Sequence, residues 1–142
     1  MTNKITTTKQ AIKEMILKDS EVTKILLNGK ENNYENVKEL VERKIFNYIN
    51  DDCCTTSSYI RICYDVDHIP STYEEMAVSG TIVIQPVGFY NPCDDNYNSY
   101  IDILSEKILE DVLKTFKPTR YSNVAEPIES NSIRRKITFI IE

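Results

Sequence analysis

The chain has 142 residues, 41% hydrophobic and 27% charged, with a net charge of −5, a pI near 5.0, no Trp, three Gly, five Pro, four Cys and one His. That size suits one domain able to bury a core without a metal or a disulfide, and the low Gly and Pro content excludes collagen-like and linker architectures. The acidic balance and scattered basic residues argue against a protein that grips nucleic acid by its phosphates, although an acidic wall can line a passage through which DNA slides.

The opening MTNKITTTKQ has no apolar run after its lysines and does not read as a secretory signal. No stretch approaches the ~20 apolar residues of a membrane span. The expected setting at synthesis is the cytoplasm, with the cysteines as reduced thiols.

Residues 7–28 have helical spacing at Ala11, Ile12, Met15 and Ile16, with Thr7 or Thr8 as the cap. Asp19 or Ser20 can break this run and cap a second short helix that buries Val22, Ile25 and Leu26. Asn28-Gly29 ends it, since both tolerate left-handed backbone. The stretch 30–36 reads as loop. A third helical run begins at Val37, Leu40 and Val41 and ends in the cluster Ile45, Phe46, Tyr48 and Ile49, where periodicity does not separate helix from extended chain.

YIRICYDV, 59–66, alternates at period two and predicts a strand. TIVIQPV, 81–87, predicts a second strand inside the sheet, with Pro86 marking an end or an edge because it has no N–H to donate. Between them DHIPSTYEEMAVSG is too long for a tight hairpin, and connections of this length are often functional. Residues 88–98 read as a turn-rich loop. Ser99 can cap a helix over 100–116 whose apolar face is Ile101, Leu104, Ile108, Val112 and Phe116. Residues 117–131 read as irregular, and SIRRKITFIIE reads as a closing strand with Ile133, Arg135, Ile137, Phe139 and Ile141 on one side. The expected fold is one α+β domain over 1–142: an N-terminal helical part at 7–50, then sheet and helix at 59–142. Its mainly antiparallel sheet has about four strands, with helices packed on one face.

The chemical candidates centre on 51–69, DDCCTTSSYIRICYDVDHI. Cys53 and Cys54 are adjacent and diverge in extended chain, Cys63 falls in a strand and Cys93 is remote, so the spacing lacks the close pairs of a zinc site. Cys63 is expected to pack as a small apolar residue. Asp65 and Asp67 share a strand face, as a cation site or an acid–base pair would need, but no third ligand lies nearby. His68 alone could serve a nucleophile, and neither a G-x-S-x-G elbow nor a phosphate-cradling glycine loop is present. No enzymatic activity, metal or cofactor is expected. Among nine Tyr, Tyr73, Tyr90, Tyr97 and Tyr121 fall in predicted loops, where they serve equally as contact residues or as cover for the core rim.

In the order of its elements the chain resembles the small tail-completion and head–tail joining proteins of tailed bacteriophages, tail terminators among them. The pattern comprises the helical part ILKDSEVTKILLNG, the K-I-F-x-Y-I element at Lys44–Ile49, the strand YIRICYDV, a long loop, the strand TIVIQPVGF, the helix YIDILSEKILEDVL and the closing RRKITFII. Many relatives open the helix after the central strand with T-R-x-D-L-I; here NSYIDIL keeps Asp102, Ile103 and Leu104 without the Arg. The resemblance implies a structural virion protein that forms a ring, commonly hexameric, at the head-proximal end of the tail. Its implied partners are further copies of itself, the tail tube protein, a neck or connector protein and, in a sheathed tail, the sheath, with DNA passing through the lumen. The expected contact residues are Asp67, His68, Ile69, Tyr73, Glu74, Glu75 and Met76 in the long loop, with Tyr90 and Tyr97. The rival readings are a neck or head–tail connector protein one layer nearer the capsid, and a non-viral soluble binding module.

Overall fold

In a computed structural model of the chain, the residues described are 4–48, 60–68, 80–89, 93, 95–126 and 132–141. The elements run α1 (Lys4–Lys18), α2 (Ser20–Leu27), α3 (Tyr34–Lys44), β1 (Ile45–Phe46), β2 (Arg61–His68), β3 (Gly80–Phe89), α4 (Asp95–Thr115), β4 (Arg120–Ala125) and β5 (Ser132–Ile141). The five strands form one sheet in the order β1-β2-β3-β5-β4. Only the short β1–β2 pairing is parallel; the rest are antiparallel. The α+β fold with helices on one side of the sheet is therefore as expected, with five strands where about four were expected.

The helical N-terminal part follows its capping chemistry. Asp19 sits in extended conformation and accepts hydrogen bonds from the N–H groups of Glu21 and Val22, which would otherwise lack partners. Asn28, with φ 50°, and Gly29, with φ 85°, end α2 in left-handed backbone. Two starts fall earlier than periodicity indicates. Thr7 and Thr8 lie within α1, and α3 begins at Tyr34 because the Asn33 carboxamide accepts from the N–H of Asn36. That first turn is solvated, with Tyr34 81% exposed, so it carries no apolar signal.

The core lies between sheet and helices. Ile62, Tyr64 and Val66 of β2, Ile82 and Ile84 of β3, and Ile137 and Phe139 of β5 face Ile12 and Ile16 of α1, Leu26 of α2 and Ile101, Leu104, Ile108 and Val112 of α4. Phe116 closes the far end of α4 on Phe139, ring centroids 5.3 Å apart. Gly88 lies where α4 crosses β3 at close range: a Cβ there would lie 3.0 Å from Cδ1 of Ile101.

Several expectations are corrected. Pro86 lies inside the central strand β3, neither at its end nor at an edge. It pairs with Ile62 on the β2 side, while the β3–β5 register passes from Ile84↔Ile137 to Val87↔Arg134. The missing donor thus costs pairing on one side only. Residues 117–131 are not irregular throughout, since β4 forms within them on the edge beside β5. Ile45 and Phe46, left open between helix and strand, are extended and pair with Ile62 and Cys63.

Candidate functional site

Asp67 and His68 do not begin a loop. They continue β2 and pair with Thr81 and Gly80. Tyr97 lies in α4, whose start at Asp95 also places Ser99 inside the helix. The polar opening turn of α4 reads like loop in sequence, which is why its start is misplaced. Tyr121 lies in the strand β4, not in a loop, and is 53% exposed. Ile69, Tyr73, Glu74, Glu75, Met76 and Tyr90 lie outside the described residues, as do Cys53 and Cys54.

Cys63 is a buried thiol packed with Val87 and Phe46 on the sheet face opposite the helices, as a small apolar residue would be. Asp65 is spoken for: its Oδ1 lies 3.1 Å from Nζ of Lys9, which also donates to the Asn47 carbonyl and lies over the Tyr48 ring. Among the described residues no three His, Cys, Asp or Glu side chains converge as a metal site would require.

A different region has the shape of a contact site. Where the C-terminal end of α2, the end of α3 and the start of α4 meet, a concavity of about 770 Å³ opens to solvent. Its apolar wall comprises Ile25, Leu26 and Ile60, with Tyr100 and Ile103 on the α4 side, 42% and 39% exposed. Lys24, Lys30 and Lys44 stand around it, with the single carboxylate of Glu21. Nζ of Lys44 donates to the Leu26 carbonyl at the end of α2, and Lys30 reaches Glu39 at 3.4 Å. Burial, and then the nearby Lys30 charge, push the Lys44 ammonium below its usual value, with Glu39 opposing. An anionic group at this mouth would relieve the repulsion between the two lysines. The arrangement suits an apolar side chain carried beside a carboxylate.

The lining of this groove comes from three helices and Ile60, so no single stretch of sequence carries its pattern. The one local signal was Lys44, a charge leading directly into the apolar run Ile45-Phe46.

No family model, no curated protein and no solved structure matches the chain. Among the described residues no helix is long and apolar enough to cross a membrane.

Proposed function

We propose that this chain is a structural virion protein that forms a ring at the head-proximal end of a phage tail, ends tail-tube polymerisation and joins the tail to the neck. The observation that carries this reading is the order of elements: N-terminal helices, a K-I-F segment pairing with the first long strand, a central strand, one long amphipathic helix and, after the edge strand β4, a closing strand. That is the order in which the chain resembles tail-completion proteins.

The action would be geometric. A heterologous interface that closes into a ring presents two unlike faces. One is complementary to the last tube layer, and the other refuses a further tube subunit and receives the neck protein. A charge of −5 on each subunit would keep passing DNA off the wall. The groove bounded by Tyr100, Ile103 and Lys44 supplies an apolar, cationic-rimmed contact surface for such an assembly.

The test is light scattering of the purified chain with negative-stain images, alone and with purified tail tube or portal-side connector. Rings of about six subunits on the ends of added tail tube are the expected outcome. Binding to the connector alone would move the protein one layer toward the head. A chain that ignores both partners would sink the virion reading.

A further inference from the structure

The two edges of the sheet differ. At the β1 edge the strand is two residues long, and Lys9 bridges the Asn47 carbonyl and the Asp65 carboxylate beyond it. At the other edge, among the described residues, β4 pairs only with β5, and five of its six residues are exposed. Glu126 donates its N–H to the Arg134 carbonyl at 3.1 Å. In antiparallel alternation the N–H and C=O groups of Arg120, Ser122 and Val124 then face β5, and those of Tyr121, Asn123 and Ala125 face outward.

We propose that β4 is a strand-pairing edge for β4 of a second copy of this chain, antiparallel and centred on Asn123. Only that register pairs all three outward residues: Tyr121 with Ala125 of the second copy, Asn123 with Asn123, and Ala125 with Tyr121. It also sets Arg120 opposite Glu126 of the second copy on the same sheet face. Arg120 is exposed, and among the described residues neither Arg120 nor Glu126 has an ion-pair partner in its own chain. The segment RYSNVAE is thus complementary to itself in charge as well as in hydrogen bonding, which a two-fold interface demands. Arg135 donates to the Asn123 carbonyl at 3.2 Å, and the second lone pair of that oxygen remains for the incoming N–H. The pairing is independent of ring formation, so either can fail without the other.

Sedimentation equilibrium of the full chain over a range of concentrations tests it. The wild type is expected to show a monomer–dimer equilibrium. Ala125→Pro removes an outward N–H and no bond to β5, and is expected to weaken the dimer by about tenfold or more with an unchanged circular dichroism spectrum. Arg120→Glu and Glu126→Arg are each expected to raise the dimer Kd by roughly tenfold, since each acts twice across the two-fold axis, and the double exchange is expected to restore it. Should Ala125→Pro not fold, the charge exchange decides alone. A wild type that stays monomeric, or a dimer indifferent to the charge reversals, would overturn the proposal.

Discussion

The carboxyl of Asp111, on α4, is hydrogen-bonded to Asp19, the N-cap of α2. Its Oδ2 is buried. Burial, the bond to Asp19 and the Asp19 charge together push Asp111 up to about 7, with Glu110 adding to the rise and Lys114 opposing it. Burial would raise Asp19 too, but its bonds with Asp111 and with the N–H groups of Val22 and Glu21, and the Lys107 charge, hold it below the usual value. Below about pH 7 the pair therefore favours sharing one proton, a link between α2 and α4.

A pH dependence follows. From 3.8, where an unfolded Asp loses its proton, up to about 7, where folded Asp111 does, the native chain holds one proton more than the unfolded chain. Stability from Asp111 is complete below that window and falls as pH rises through it. Asp19 acts in the opposite sense, and its contribution disappears as pH falls below 3.8. Asp111→Asn keeps a donor toward Asp19 and removes the titration. Urea unfolding at about pH 4.5 and about pH 8 should show a smaller loss of stability between the two for the variant than for the wild type. Equal losses would remove the shared proton from the account.

The close crossing of α4 over β3 gives a second expectation. Gly88→Ala places a methyl 3.0 Å from Cδ1 of Ile101 and should cost about 1–3 kcal/mol as overpacking. Ile101→Val deletes that Cδ1 at its own cost of about 1 kcal/mol. The double variant should be more stable than the two costs added together predict. Simple additivity in denaturant unfolding would mean that the contact is relieved by some other shift.

The elements most legible in the sequence bury one clean face. Ile101, Leu104, Ile108 and Val112 are all fully buried at the helical spacing that announces α4, and in β5 Ile137 and Phe139 are buried on the alternating face. What was hidden has little apolar contrast. In β4 no residue is buried, so RYSNVA reads as loop and is held as a strand by its ladder to β5. Pro86 signals an edge in any local reading, but the sheet tolerates it centrally because pairing with β2 continues past it. The groove was illegible for another reason: it exists only where three helices converge, and no single segment carries its pattern.

Ile103 offers a separation of stability from assembly. It is 39% exposed at the groove beside Tyr100. Ile103→Glu should leave thermal stability within about 0.5 kcal/mol of wild type, as expected at an exposed site. It should abolish tube-dependent ring formation if the groove is a contact surface. Rings that persist on tail tube with Ile103→Glu would place the subunit contacts elsewhere.

Arg135 carries the last expectation. Its Nε donates to Oδ1 of Asn123 at 3.0 Å, one terminal nitrogen donates to the Asn123 carbonyl at 3.2 Å and the other lies 3.3 Å from Oδ1 of Asp102. One planar group thus ties the edge strand β4 to α4 through β5, and Nδ2 of Asn123 adds a bond to Oγ of Ser105 at 3.3 Å. A lysine would retain the charge but not the fork of fixed donors. Arg135→Lys should therefore cost about 1–2 kcal/mol in urea unfolding, more than an exposed ion pair alone accounts for. Amide exchange should quicken in β4 before it does in β2 or β3, because β4 is bound on one side only. A loss spread evenly over the sheet would show that Arg135 supports the whole fold and not its edge.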